Sequence, residues 1–191
     1  MASDKPRILH SSKDMMFSLI PLVIMCVIIA AIASQCAFRP GGPKEGPIPN
    51  FDVDASLKYD ASELAFPIRN PHVPDGWKPN SGSRTKVNGP GGGDVSTVGY
   101  ITDAGAFMQL SQSNATEDAL VPALFGDRSA TGSNELDGHT WVIYAEKGSE
   151  PLWVADFTQV RVLLKGAGTT DEFTALAHAV DAATPLKSRT P

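Results

Sequence analysis

Cysteine is nearly absent from this 191-residue chain. Its two cysteines, Cys26 and Cys36, both lie in one apolar stretch near the N-terminus, and residues 39–191 contain none. No disulfide can therefore cross-link that larger part of the chain. A domain formed there must be stabilised by the burial of its core alone.

An excess of basic charge is also lacking. The chain has 16 Lys and Arg against 21 Asp and Glu, so its formal net charge is −5. Domains that bind nucleic acid usually carry a basic patch or stripe, and nucleic acid is therefore not an expected partner. Hydrophobic residues make up 42% and charged residues 19% of the chain, which excludes a disordered polyelectrolyte and indicates a globular protein.

Residue patterns typical of a metal or catalytic site are missing as well. The four histidines are too far apart in sequence for the short spacing of a zinc site: His10, His72, His139 and His178. The G-x-S-x-G pattern of serine hydrolases does not occur. The sequence therefore predicts no catalytic residue, no cofactor-binding residue and no metal ligand, and we do not expect an enzyme.

Three short patterns resemble functional motifs only in part. Residues 83–86 (Ser-Arg-Thr-Lys) have the serine–lysine spacing of penicillin-recognising enzymes, but the surrounding Gly and Pro favour a strand or loop over the required helix. Residues 89–94 are rich in Gly but lack the Lys of a phosphate-binding loop, so we predict a turn. Asp52 and Asp54 alternate in a predicted strand over Phe51–Ala55, where a solvated face is favoured over a cation site.

One long apolar segment is present. Residues 15–38 contain no Asp, Glu, Lys, Arg or His over 24 positions. A bilayer core of about 30 Å needs about 20 helical residues, so the sequence predicts a transmembrane helix over 15–38 that contacts the lipid bilayer. Lys5, Arg7 and Lys13 precede the segment, which favours a cytoplasmic N-terminus over residues 1–14 and an extracytoplasmic remainder.

Two other interpretations of this segment export the same domain. Ala31-Ile32-Ala33 resembles a signal-peptide cleavage site, and Cys36 is the position that a lipoprotein would use. The length of the segment exceeds that of a signal peptide's apolar core and favours an uncleaved anchor in the plasma membrane.

Small residues recur at helical spacing in the second half of the predicted span. Ala30 and Ser34 form one such pair, and Ala33 and Ala37 form another. Small residues four apart let two membrane helices approach closely, so this face is a possible contact with a membrane-protein partner. A generic alanine-rich span explains the same pattern equally well.

The rest of the chain divides into a linker, a domain and a tail. Residues 39–50 are rich in Pro and Gly and predict a linker, followed by a domain over 51–186 and a tail over 187–191. The domain's predicted strands are Phe51–Ala55, Ser81–Val87, Val95–Thr102, Ala106–Ser111, Thr140–Glu146, Leu152–Phe157 and Val160–Lys165. Residues 70–79 contain three prolines and predict an ordered loop held by Trp77.

Helices follow the predicted strands without strict alternation. Asn114 or Thr116 can cap a short helix with apolar positions at Leu120, Ala123 and Leu124. Thr169 and Glu172 form a capping box before a helix whose apolar face is Phe173, Leu176, Ala177 and Val180. This arrangement predicts an α+β fold with a mainly antiparallel sheet and packing helices.

The order of several motifs resembles a known family. The motifs are Asp14–Leu19 at the start of the apolar segment, Pro67–Arg69, Val73–Trp77, Val98–Thr102, Gln109–Ser113, Gly138–Trp141 and the segment from Leu163 to Leu176. In their order and spacing they resemble the actinobacterial domain-of-unknown-function family 4245, whose members are single-pass membrane proteins. The resemblance implies an actinobacterial cell envelope and no particular activity.

We therefore expect a membrane-anchored protein of the cell envelope whose extracytoplasmic domain binds or scaffolds without catalysis. Two alternatives stay open at this point. One is a carrier of a small molecule or lipid with a cavity between sheet and helices. The other is a hydrolase with an unrecognised site around Ser83, His72 or His139.

Overall fold

The computed structural model describes residues 12–34 and 51–186. The chain divides into two compact units, Met1–Gly46 and Pro47–Pro191. The first unit contains helix α1, Ser12–Ser34, which begins three residues before the predicted span. Residues 35–38 of that span, the linker over 39–50 and the tail over 187–191 lie outside the described residues. Within the described ranges, no helix has the combination of length and apolarity that crossing a membrane requires.

The second unit is an α+β domain built on one antiparallel sheet of seven strands. Its elements, in chain order, are α2 (Val53–Glu63), β1 (Lys78–Val87), β2 (Gly93–Ile101), β3 (Phe107–Ser113), α3 (Glu117–Phe125), β4 (Gly132–Leu136), β5 (His139–Tyr144), β6 (Leu152–Asp156), β7 (Arg161–Gly166) and α4 (Thr170–Ala182). The strands are ordered β1-β2-β3-β7-β6-β5-β4, and every neighbouring pair is antiparallel. The predicted fold class is confirmed for this unit.

The two faces of the sheet carry separate hydrophobic clusters. On one face, α2, α4 and the chain from Phe66 to Trp77 pack against residues of the sheet that include Tyr100 and Trp141. On the other face, α3 buries Leu120 and Val121. Full burial of a large apolar side chain stabilises a fold by about 1.5–3 kcal/mol, so both clusters contribute substantially to the stability of this disulfide-free domain.

The predicted strand over Phe51–Ala55 is wrong. Asp52 is instead the N-cap of α2, and its side-chain oxygen accepts a hydrogen bond from the backbone N–H of Ala55 at 2.9 Å. The helix then buries Leu57, Asp60 and Ala61, which have the spacing of one helical face. The alternation of polar and apolar residues covers only five positions. The Asp52 cap and the buried face of the following residues favour a helix there instead.

The other predicted strands are confirmed, with shifts of a few residues at their ends. The structure adds β4, which the sequence did not predict because its residues, Gly-Ser-Asn-Glu-Leu, are mostly polar. This strand lies at the edge of the sheet and pairs only with β5 in the described domain. Polar residues are ordinary at an edge strand, since one side of it faces solvent.

Both predicted helices are present. The capping box of α4 is formed as predicted, with Thr169 and Glu172 as its two members. Phe173, Leu176, Ala177 and Val180 of this helix are all buried. In α3, Thr116 is the N-cap residue, but Val121 is buried and the predicted core residue Ala123 is exposed.

Candidate functional site

The proline-rich loop forms one wall of an open cleft on the face of the sheet that carries α2. The loop predicted over 70–79 is confirmed over residues 70–77, which have no regular structure, whereas Lys78 and Pro79 belong to β1. Gly76 adopts a φ of +89°, which favours glycine. The loop closes with a hydrogen bond from the Trp77 N–H to the Pro74 carbonyl at 3.2 Å. The Trp77 side chain is buried in the core, which confirms the prediction that it holds the loop.

The cleft has a volume of about 490 Å³. It is lined by Val53, Asp54, Asn70, Pro71, His72, Val73, Pro74, Asp75, Gly76, Trp77, Pro79 and Tyr100. Small-molecule sites in proteins typically occupy about 300–1,000 Å³ and combine apolar walls with a few polar groups, a description that fits this lining.

Tyr100 is the unusual member of the lining. Its side chain is 1% exposed, and its hydroxyl oxygen is buried without a hydrogen-bond partner among the described residues. Burial raises the pKa of the Tyr100 hydroxyl, and the negative charge of Asp54 raises it further, so the hydroxyl is neutral. A buried polar group without a partner costs about 1–3 kcal/mol, so a ligand atom that hydrogen-bonds to this hydroxyl would recover part of that cost.

Asp54 supplies negative charge at the same cleft. It is exposed in the first turn of α2, where an acidic residue interacts favourably with the helix dipole. Its Oδ1 accepts a hydrogen bond of 2.6 Å from the Asn70 amide. The predicted pairing of Asp52 and Asp54 on one strand face is wrong, because Asp52 caps the helix and Asp54 lines the cleft.

The start of the loop is held to the sheet through Arg69. The side-chain amide of Gln112 accepts a hydrogen bond from the Arg69 N–H at 2.7 Å and donates one to the Arg69 carbonyl at 2.8 Å. The Arg69 guanidinium lies over the Phe157 ring, 5.0 Å from its centroid, and donates to the carbonyl oxygens of Asp181 and Ala183 at the end of α4. Arg69 therefore joins the loop, the sheet and the last helix.

Two histidine–aspartate pairs connect the β4–β5 hairpin to α4. His139 Nε2 lies 3.3 Å from an oxygen of Asp181, and its ring stacks on Phe157 at a centroid distance of 3.8 Å. His178, predicted to lie on a solvated face, is exposed and contacts Asp137 in the turn. Among the described residues, no group of three or more His, Cys, Asp or Glu is arranged to hold a metal ion.

The segments weighed as catalytic motifs lie apart from the cleft. Residues 83–86 are part of strand β1, where Ser83 and Lys86, three residues apart, point to opposite faces. Ser83 pairs with Thr97, which places it on the face of the sheet opposite Tyr100. The predicted turn at 89–94 is confirmed over residues 89–92, and β2 follows it directly.

Residues singled out in the N-terminal segment are only partly described. Ala30, Ala33 and Ser34 belong to α1, but their side chains lie outside the described part of the structure. Ala37, Cys36 and His10 lie outside the described residues altogether.

Tyr100 was not singled out by sequence reasoning. It is one of several apolar or aromatic residues in a predicted strand, and alternation alone indicates only that its side chain faces the core. The local sequence carries no signal for the missing partner of its hydroxyl. Whether the Tyr100 hydroxyl has a hydrogen-bond partner depends on which distant segments of the chain pack around it.

Five of the motifs that carry the family resemblance contribute residues that lie at or beside the cleft and the contacts of Arg69. These residues are Arg69, Trp77, Tyr100, Gln112 and His139.

Comparison with known proteins identifies the family of the chain. No curated protein and no solved structure matches the chain. A family model described as "Protein of unknown function (DUF4245)" matches residues 7–180. The chain therefore belongs to the DUF4245 family.

Proposed function

We propose that this chain is a single-pass protein of the plasma membrane whose C-terminal domain, on the extracytoplasmic side, is a binding module without catalytic activity. The anchor is the apolar segment at 15–38. Large apolar side chains from Phe17 to Ile29 are exposed along α1, and a covering of lipid would remove that apolar surface from water.

The proposed orientation follows from charge. Lys5, Arg7 and Lys13 precede the apolar segment, and cytoplasmic flanks are usually the more basic. Residues 39–191 carry 13 basic and 19 acidic residues, an acidic balance that repels anionic lipid headgroups. The domain is therefore expected to extend away from the membrane surface.

A pair of fusions tests the anchor and its orientation. Alkaline phosphatase, which is active only outside the cytoplasm, is fused after Pro191 of the full chain and of a chain that lacks residues 15–38. We expect activity from the full chain only, and we expect alkaline carbonate to leave the full chain in the membrane fraction. An inactive full-length fusion, or release of the full chain by carbonate, contradicts this part of the proposal.

The binding role is supported chiefly by one observation: Tyr100 lines an open cleft, and its buried hydroxyl has no partner among the residues that the structure describes. The surrounding loop is held in place by the Arg69–Gln112 contacts, so the cleft is organised before a ligand arrives. Ser83 lies on the opposite face of the sheet from the cleft, which favours binding over a serine-based hydrolytic reaction there.

Native mass spectrometry of the full chain in nonionic detergent tests the binding role. Val73→Trp places a bulky side chain in the cleft, and Ser129→Trp places the same side chain at a smaller cavity of about 230 Å³ elsewhere in the domain. We expect a co-purified molecule on the wild type and on the Ser129 variant but not on the Val73 variant. Equal occupancy of all three proteins contradicts a role for the cleft, and specific labelling of one serine by a fluorophosphonate probe contradicts the non-catalytic assignment.

A further inference from the structure

We propose that the cleft binds a small organic cation through a primary ammonium group. This inference rests on the proposed function, since it specifies the ligand class of the same binding site. Three features of the lining carry it: the sign of its charge, the unused hydrogen-bonding capacity of the Tyr100 hydroxyl among the described residues, and the aromatic rings of Trp77 and Tyr100.

The charge of the lining is acidic. Its carboxylates are those of Asp54 and Asp75, both exposed, and the described residues contribute no Lys or Arg to the cleft. Asn70 occupies one position on Oδ1 of Asp54. A carboxylate has about four lone-pair positions, so Asp54 can still accept a hydrogen bond from a ligand. This arrangement attracts a cation and repels carboxylate or phosphate ligands.

The hydroxyl of Tyr100 is a second, independent feature. Tyr100 lines the cleft, and its hydroxyl is buried and has no partner within the part of the chain that the structure describes. A neutral hydroxyl oxygen accepts a hydrogen bond from an N–H donor, and an ammonium group has three such donors. In the proposed complex one ammonium group interacts with Asp54 and Tyr100 together, which a quaternary or carboxylate ligand cannot do through hydrogen bonds.

Aromatic and apolar groups complete the cleft. The rings of Trp77 and Tyr100 lie with their centroids 6.5 Å apart and their planes inclined by 50°. Aromatic rings attract a nearby cation through their negative faces, and the effect grows when the cation is shielded from water. Pro71, Val73 and Pro74 provide apolar surface for the carbon chain of the ligand. The volume of about 490 Å³ suits a small molecule or one side chain.

Three probes with the same carbon chain test the charge requirement. The full chain in nonionic detergent micelles is titrated with butylammonium, 1-butanol and butanoate, while the indole N–H signals of Trp77, Trp141 and Trp153 are followed by NMR. We expect butylammonium alone to shift the Trp77 signal. If 1-butanol or butanoate shifts it as strongly, the ammonium inference is overturned while the cleft is still a binding site. If no probe shifts it, the inference is likewise overturned, and the mass-spectrometric comparison decides the proposed function separately.

Variants separate the two polar contributions. Asp54→Asn is expected to weaken butylammonium binding by about threefold to fivefold, as for an exposed ion pair. Tyr100→Phe is expected to weaken it by about tenfold or more, as for a hydrogen bond to a charged group. Asp118→Asn removes the same charge from the first turn of α3, which packs on the other face of the sheet, and should leave binding unchanged.

Two outcomes of the variant experiment overturn the proposal: unchanged binding in both cleft variants, or an equal loss in Asp118→Asn.

The source of the ammonium group is resolved by a further titration with Nα-acetyl-lysine N-methylamide. Tighter binding of this compound than of butylammonium indicates a lysine side chain of a partner protein. Weaker binding indicates a free amine.

Discussion

The side-chain amide of Gln112 forms hydrogen bonds with both backbone polar groups of Arg69, 43 residues earlier in the chain. Gln112 is 1% exposed, so its amide is withdrawn from water. The Arg69 guanidinium in turn donates a hydrogen bond to the Asp181 carbonyl at the end of α4. This relationship fixes the start of the cleft loop to the centre of the sheet.

Replacement of Gln112 should therefore be costly. Gln112→Leu leaves the Arg69 N–H and carbonyl without these partners, and we expect it to lower the free energy of unfolding by about 2–4 kcal/mol. Gln109→Leu is the control, because the half-buried Gln109 amide donates to a neighbouring hydroxyl, that of Ser111, and to no other group in the described part of the chain. Urea denaturation measures both variants, and a similar loss in the two would contradict the structural role of Gln112.

The guanidinium of Arg69 should not be replaceable by an amine. Arg69→Lys keeps the positive charge but loses the planar group that lies over Phe157 and reaches two carbonyls, so we expect a loss of about 1–2 kcal/mol. Arg161→Lys alters a partly exposed ion pair with Asp156 and should cost less than about 1 kcal/mol.

Hydrogen exchange identifies where the effect of Arg69→Lys arises. Faster exchange is expected at the amides of the last turn of α4, around Val180. Unchanged protection there, despite a loss of global stability, would show that the contacts of Arg69 with the helix end are unimportant.

Glu172 should make stability depend on pH in the acidic range. A hydrogen bond from the Thr169 backbone N–H lowers the pKa of the Glu172 carboxyl below its ordinary value of 4.5, and the Thr102 hydroxyl lowers it further. The stabilisation is present above the pKa of the unfolded chain and is lost as the pH falls through the lower, folded value. Glu172→Gln should therefore remove part of the loss of stability seen below about pH 4.5.

Denaturation curves between pH 6 and about pH 3 check this effect. Asp171→Asn is the control, because it removes an exposed carboxylate from the same first turn without altering the capping box. The assignment to Glu172 fails if the Asp171 variant flattens the acid dependence as much as the Glu172 variant does.

Tyr100→Phe should not destabilise the fold. It removes a buried hydroxyl without a partner in the described structure, so we expect the free energy of unfolding to be unchanged or to rise by up to about 1–3 kcal/mol. Tyr59→Phe, at an exposed position of α2 beside Arg84, is the comparison variant and should bring no gain in stability. A clear loss of stability in the Tyr100 variant would show that its hydroxyl is engaged in a stabilising contact.

The same variant has a consequence at alkaline pH. The pKa of Tyr100 is raised above its ordinary value of 10.0 by burial, whereas the tyrosine of the unfolded chain ionises near that value. Above pH 10 the unfolded chain therefore binds fewer protons than the folded one, and stability falls as the pH rises. Tyr100→Phe should reduce this fall, which unfolding measurements between pH 9 and about pH 11 detect.

Local patterns predicted most elements of the domain but not all of them. The capping box at Thr169 and the four apolar residues after it act over a few residues, so the helix α4 was predictable. The strand predicted at Phe51–Ala55 was wrong because five alternating residues also suit a helix start when Asp52 can cap it. Strand β4 has few apolar residues, and its pairing with β5 is visible only in the folded sheet.

The candidate site shows the same division between local and distant effects. The prolines of the 70–77 loop and the anchoring role of Trp77 were predictable, since irregular backbone and a large apolar side chain follow from residue type. The position of Asp54 beside this loop was not predictable, because it depends on the direction in which α2 runs from its N-cap residue, Asp52.

By itself, the sequence determined the family, the apolar segment at 15–38, the irregular loop and the mainly antiparallel α+β character, because each follows from composition or from patterns over neighbouring residues. Only the tertiary structure decided that Gln112 holds Arg69, that Tyr100 and Asp54 line one cleft, and that the Tyr100 hydroxyl has no partner among the described residues. Hydrogen bonding and burial depend on which distant segments come together, and that outcome is settled by the packing of the whole domain.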